Sequence, residues 1–186
     1  APDYETKTSY TATVTASDGT NSTTQNITVN VTNVNDVAPV FTSSSTFSAA
    51  ENQTAIGTVT ITDDGGSITY EVLGQDKDHI SIDSSSGVLT FNSAPDYESE
   101  NTYFITVQAN DGVFTTAQTI TINVTNVNES PSFTTSATFN VEENQTGIGI
   151  VRANDPENDT LNFSISDGES VISIDSSSGA LTFDIN

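Results

Sequence analysis

The sequence predicts an all-β fold: tandem seven-stranded β-sandwiches with Greek-key connections, one complete and two partial. Three observations carry this reading. Apolar and polar residues alternate, as in Tyr103-Phe104-Ile105-Thr106-Val107-Gln108-Ala109 and Ile120-Thr121-Ile122-Asn123-Val124, which is the period of a half-buried strand. Turn signals separate these segments: Asp18-Gly19, Asp63-Asp64-Gly65-Gly66, Ser84-Ser85-Ser86-Gly87, Asn110-Asp111-Gly112 and Asp167-Gly168. Finally, the chain repeats itself. Ala1-Pro2-Asp3-Tyr4-Glu5 returns at 94–98 and Thr32-Asn33-Val34-Asn35 at 125–128, offset by 93 residues; Glu51-Asn52-Gln53-Thr54 returns at 143–146 and Ile80 to Gly87 at 172–179, offset by 92.

The elements follow in order on that repeat. The complete unit, 38–128, has alternating segments near 40–49, 55–62, 67–73, 80–83, 87–91, 102–109 and 116–125, read as seven antiparallel strands. Residues 1–37 carry only the last two strands, near 8–16 and 23–32, and residues 129–186 only the first five. No window of helical length shows a 3.6-residue apolar period. A repeat of about 93 residues can enclose its own core, so the units are separate domains in a row rather than turns of a solenoid.

Three Lys+Arg against 25 Asp+Glu give a net charge of −22, which argues against nucleic acid or anionic lipid as a partner and points to cations. There is no Cys, so no disulfide framework exists. No apolar stretch approaches membrane-spanning length, so no membrane insertion is expected. The phase of the repeat marks the chain as an interior slice of something longer. No Ser/His/Asp set, phosphate loop or Lys-based site emerges, so the chain is not read as an enzyme. His79, beside Asp76 and Asp78 in a loop, is read as a surface histidine, and Tyr4 and Tyr97 as packing at the sandwich end.

The recurring acidic residues fall at strand ends and turns: Glu51, Asp63, Asp64, Asp96, Glu98 and Asp111, with Asn126, Asn128 and Glu129 at a junction between units. Carboxylates and amides on loops supply the oxygen ligands that Ca²⁺ prefers, whereas Zn²⁺ would want Cys or His.

The order of these motifs resembles cadherin repeats. Glu51-Asn52 follows the first strand, Asp-x-Glu stands in Pro95-Asp96-Tyr97-Glu98, and Ala-x-Asp-Gly in Ala109-Asn110-Asp111-Gly112. The junction reads Asn33-Val34-Asn35-Asp36-Val37-Ala38-Pro39-Val40-Phe41, similar to the family's Asp-x-Asn-Asp-Asn-x-Pro linker, and Asp155-Pro156-Glu157-Asn158-Asp159 is similar to its Asp-x-Asp loop. The resemblance spans the whole chain in the right order. It implies cadherin or immunoglobulin-like sandwiches with Ca²⁺ between domains, in an extracellular or cell-surface protein of the bacterial cadherin-like kind.

On that resemblance, the second junction would draw on Glu51, Asp96 and Glu98 from the middle unit, Asn126, Asn128 and Glu129 from the linker, and Asp155, Glu157 and Asp159 from the third. The first junction would draw on Asp3, Glu5, Asn33, Asn35, Asp36, Asp63, Asp64 and Asp111. The family's first linker Asp is Asn33 and Asn126 here, its last Asn is Val37 and Ser130, and the Asp63 loop is one residue shorter than the Asp155 loop. The first junction is therefore expected to bind fewer ions, or bind them more weakly.

The two partial units are complementary, which leads to an expectation of head-to-tail homo-oligomers or fibres. The C-terminal part of one molecule would be completed by residues 1–37 of the next. Asp18 of a neighbour would then cap the second junction, and Glu143 of a neighbour would serve the first. The function this implies is a calcium-rigidified adhesion or spacer module. An alternative is a carbohydrate-binding module of a secreted polysaccharide-degrading protein, with Phe104, Phe114 and Tyr97 as its only aromatic platforms.

Overall fold

The computed structural model describes residues 1–168 and 171–184. Among the described residues it contains sixteen strands and no helix. The chain divides into two compact units, Ala1–Thr125 and Asn126–Asn186.

In the first unit, β1 (Ser9–Ser17) and β2 (Ser22–Asn30) form a two-stranded antiparallel hairpin in full register, Ser9 opposite Asn30 and Ser17 opposite Ser22. Strict alternation sorts its side chains. Tyr10, Ala12, Val14 and Ala16 share one face with Val29, Ile27, Gln25 and Thr23, and the other face carries Thr11, Thr13 and Thr15 with Thr28, Asn26 and Thr24.

The sandwich follows, built from β3 (Val40–Phe41), β4 (Thr46–Ala50), β5 (Ala55–Thr58), β6 (Ile61–Thr62), β7 (Thr69–Leu73), β8 (Ile80–Ile82), β9 (Val88–Phe91), β10 (Thr102–Asn110) and β11 (Thr115–Thr125). One sheet has the order β4-β11-β10-β7, the other β5-β9-β8, and β3 pairs with β6. Leu89, Ile105, Ile120, Ile122, Val59 and Val107 are fully buried between them. Phe91 meets Tyr103 edge to face, with centroids 5.2 Å apart. Fully burying each such aliphatic side chain contributes roughly 1.5–3 kcal/mol, so this cluster dominates the stability of the unit.

Two expected strands are each broken in two. The segment read as 40–49 turns at Thr42–Ser45, so that β3 pairs with β6 while β4 pairs with β11; the segment read as 55–62 breaks between β5 and β6 in the same way. Each segment crosses from one ladder to another, which apolar alternation cannot reveal because it persists through the bend. The expectation of wholly antiparallel strands is also corrected, since β4 runs parallel to β11, with Phe47 opposite Ile122.

The second unit has β12 (Ser132–Phe133), β13 (Gly147–Ile150), β14 (Ala153–Asn154), β15 (Ile172–Ile174) and β16 (Ala180–Phe183), in the sheets β12-β14 and β13-β16-β15. These repeat β3, β5, β6, β8 and β9. The residues matching β4 and β7 form no strand among those described. In the sandwich, β4 and β7 owe their ladders to β11 and β10, and among the described residues no such hairpin pairs with the second unit's sheets.

Candidate metal centre

The acidic turns are built by local hydrogen bonds before any ion is considered. Asp3 accepts from Thr6 Oγ1 (2.6 Å) and the Glu5 N–H (3.1 Å), and Asp96 accepts from Ser99 Oγ (2.8 Å) and the Glu98 N–H (3.1 Å). These bonds hold both aspartates below their ordinary value, the Thr6 and Ser99 hydroxyls being the largest cause in each. Asp3 and Asp96 therefore shape the turns that present Glu5 and Glu98.

Within the first unit, carboxylate oxygens of Glu5, Asp36 and Asp64 lie within 4.8 Å of one another. Asp64 is the pivot. Its Oδ2 accepts from the Asp36 N–H (3.1 Å), its carbonyl accepts from Asn33 Nδ2 (2.6 Å), and its Oδ1 lies 3.2 Å from the Asn35 side-chain amide. That amide is also 3.3 Å from Asp111 Oδ2. With its nitrogen turned toward the two carboxylates, Asn35 donates to both.

Asp111 reaches this place because its loop is braced: its Oδ1 accepts from the N–H groups of Val113 (2.7 Å) and Phe114 (2.6 Å), leaving Oδ2 for Asn35. Desolvation of Asp111 works against ionisation, but these two N–H groups and Asn35 outweigh it and keep the carboxyl low. Glu5 moves the other way. Its own backbone N–H lowers it, yet desolvation, the hydrogen bond within the Asp3 turn and the charges of Asp3 and Asp64 push it up. Three carboxylates this close make a place where a divalent cation is favourable.

Gly66 explains the short Asp63 loop. At φ +91° it takes a backbone conformation that favours glycine, and a Cβ there would stand 2.6 Å from the Asp111 carbonyl oxygen. The loop can thus close directly on Asp111. Asp63 Oδ2 accepts from the Gly65 N–H (3.2 Å), while its Oδ1 is buried without a hydrogen-bond partner among protein atoms.

At the other pole of the sandwich, Glu51 is only 2 % exposed, and its Oε2 accepts from the Tyr97 N–H (2.9 Å). One of its carboxylate oxygens lies within 4.8 Å of one from Glu98. Asn52 (φ 61°) makes the turn that delivers Glu51, and Asn144 (φ 67°) makes the same turn after Glu143. Glu143 itself is exposed.

Within the second unit, Asp155 is 6 % exposed and its Oδ1 accepts from the Asp159 N–H (3.1 Å). Glu157 Oε2 accepts from the Glu129 N–H (3.3 Å), repeating the bond from Asp36 to Asp64, while its Oε1 is buried without a hydrogen-bond partner. Asn128 donates to the Glu129 carbonyl (3.1 Å), and Asn126 lies exposed in the same linker. Asp18, at the hairpin tip, accepts from the N–H groups of Thr20 (2.8 Å) and Asn21 (2.6 Å), as Asp111 does from its loop.

Every donor is an oxygen, several carboxylates are close-set or buried, and two buried carboxylate oxygens want a partner. This set fits Ca²⁺ and not a nitrogen- or sulfur-seeking metal. Two roles were invisible in sequence. Asn33, read as a weakened ligand, is a hydrogen-bond donor that ties the linker to Asp64. Asp76, 7 % exposed, accepts from the Phe104 N–H (2.6 Å) and pins a loop to β10. Of the aromatic platforms, Tyr97 packs against the core and Phe114 is half-buried, leaving Phe104 as the exposed one. His79 is exposed and leans on Tyr103 at 5.9 Å.

Residues 45–125 match the cadherin domain family. Among curated relatives, Cadherin-related family member 1 of Xenopus laevis is 34 % identical over 137 residues, covering 63 % of this chain and 16 % of that protein. Protocadherin Fat 4 of Homo sapiens is 31 % identical over 188 residues, covering 91 % of this chain and 4 % of that protein. The chain thus spans a small part of these relatives. Among solved structures, the human Desmocollin-1 ectodomain aligns with a TM-score of 0.59 at 25 % identity, over 98 % of this chain and 41 % of that one. Protocadherin Gamma B2 extracellular cadherin domains 3-6 align with a TM-score of 0.62 at 24 % identity, over 97 % and 51 %.

Proposed function

The middle unit belongs to the cadherin domain family, and on that premise we propose that the chain is a calcium-binding adhesion or spacer module of an extracellular protein, structural rather than catalytic. The observation that carries the calcium reading is the convergence of Glu5, Asp36, Asp64, Asn35 and Asp111 on one small volume of the first unit. Unit charges about 5 Å apart repel by roughly 0.8 kcal/mol each in water and more where solvent is excluded, so without a cation the linker and the Asp63 loop push apart. With Ca²⁺ between them, the same groups tie the linker to the sandwich. Rigidity of a row of domains then depends on calcium.

The extracellular setting is supported by the solved ectodomains this fold resembles. Self-association is the natural partner class; one similar structure is described as a protocadherin gammaB7 cis-dimer. Isothermal titration calorimetry of the whole chain tests the calcium reading. Saturable Ca²⁺ binding is expected, weakened about tenfold or more by Asp64→Asn, which keeps the shape but removes the pivot charge. Absence of binding, or binding untouched by Asp64→Asn, would contradict it.

A further inference from the structure

Along β10 the buried Tyr103, Ile105 and Val107 alternate with Phe104, Thr106 and Gln108, which lie on the outer face of the sheet β4-β11-β10-β7. That face is polar but almost uncharged. Among the described residues of its four strands, Glu71 is the one charged side chain, in a chain of net charge −22. Phe104 is the one aromatic ring these strands turn outward, and it is 48 % exposed.

The fold does not require a ring there. In β1 the equivalent residue is Thr11, which stands opposite Thr28 as Phe104 stands opposite Thr121. The backbone of Phe104 is nonetheless fixed with care: its N–H donates to Oδ2 of the buried Asp76 (2.6 Å), and its carbonyl accepts from the Asp76 N–H (3.3 Å). Thr121 turns the other way and donates its N–H to the Ser45 carbonyl (2.9 Å). Phe104 and Thr121 are therefore a cross-strand pair not bonded to each other, the arrangement that brings side chains closest. A carboxylate buried like Asp76 is costly unless hydrogen-bonded, and the bond it makes holds the strand that carries the ring.

We propose that this face binds a neutral polysaccharide, with one sugar ring stacked on Phe104 and its hydroxyls exchanging hydrogen bonds with Thr106, Thr119, Thr121 and Gln108. The weakly positive C–H groups on the face of a pyranose match the negative face of an aromatic ring. Threonine hydroxyls and the glutamine amide both donate and accept, as sugar hydroxyls do. An acidic polysaccharide is repelled by the charge of the whole chain, and a cationic one would find Glu71 alone on this face. A protein partner or a second copy would need several aromatic or aliphatic anchors at the centre of the contact, where this sheet offers one ring among hydroxyls. None of these side chains belongs to the cluster of Glu5, Asp36 and Asp64, so the binding is independent of calcium.

Affinity electrophoresis of the 186-residue chain through gels containing a neutral glucan, mannan, galactan or xylan, with alginate as the anionic control, tests this. Retardation by at least one neutral polysaccharide and none by alginate is expected, unchanged in excess chelator. Phe104→Ala should weaken the retardation about tenfold or more, as truncation of a central aromatic anchor does, and Phe104→Tyr should preserve it. Urea unfolding and calcium titration of Phe104→Ala should match the parent chain, because the ring is already exposed. Retardation by no neutral polysaccharide, retardation untouched by Phe104→Ala, or self-association that depends on Phe104 in the absence of any retardation would each overturn the proposal while leaving the calcium reading in place.

Discussion

The hairpins β1–β2 and β10–β11 are written in nearly the same letters and live in opposite environments. Both alternate a Thr-rich face with an apolar one, and both close with an aspartate that caps its own turn. Ile120 is fully buried and Ile27, its equivalent, is 37 % exposed. The difference lies in what packs against them: β10–β11 has β4 and β7 at its edges and β9 across the core, while β1–β2 stands as a two-stranded sheet. Pattern therefore specifies a hairpin, and burial comes only with partner strands. Isolated two-stranded hairpins are marginal in water, so the same sequence pattern contributes more stability where neighbouring strands cover it.

Ile120→Ala and Ile27→Ala measure that contrast most directly. In chelator, urea unfolding should show a loss of about 2–5 kcal/mol for Ile120→Ala, as for other large-to-small core changes. Ile27→Ala should stay within about 0.5 kcal/mol, as at an ordinary surface position. Equal losses would mean that the hairpin has a cover of its own. Gly66→Ala comes next. It sets a strained φ against the Asp111 carbonyl, and should cost on the order of 1–3 kcal/mol and weaken calcium binding. Retained stability and affinity would show that the Asp63 loop does not close on Asp111.

The smallest effect concerns the repeated Asp-Ser-Ser-Ser-Gly turn. Asp83 Oδ1 accepts from the N–H and hydroxyl groups of both Ser85 and Ser86, and Asp175 does the same with Ser177 and Ser178. The Ser86 and Ser178 N–H groups are the largest cause holding these carboxyls far below the ordinary range. Depressed in the folded state, they stabilise above the unfolded carboxylate value, and that stability fades only as pH falls toward their folded values. Asp83→Asn should therefore lower the melting temperature slightly at neutral pH and progressively less on strong acidification. Asp175→Asn should change the sandwich transition little, because its turn lies in the other unit; a matched shift would break the contrast between the two.

Strand positions, turns and the acidic set were legible in the sequence because each is a local pattern. Tyr103 to Ala109 shows its buried face by alternation alone, and Asp111-Gly112 its turn. The bends at Thr42–Ser45 and after Thr58 were not legible, since a strand that changes ladders keeps its alternation while its partners change. Nor was the role of Asn33, whose amide looked like a ligand short of a charge until Asp64 was seen beneath it. Asp76 carried no motif and is explained only by the β10 amide it meets. Lost strand character at the counterparts of β4 and β7 has the same origin: their ladders are supplied by residues far away in sequence.

Thermal unfolding of the chain in excess Ca²⁺ against excess chelator tests the calcium-centred account most directly. With Ca²⁺ at a hundred times Kd, each site specific to the folded state adds about 2.7 kcal/mol, so the sandwich transition should move clearly upward, and Asp64→Asn should remove much of that rise. Superimposable curves in calcium and chelator would contradict the account.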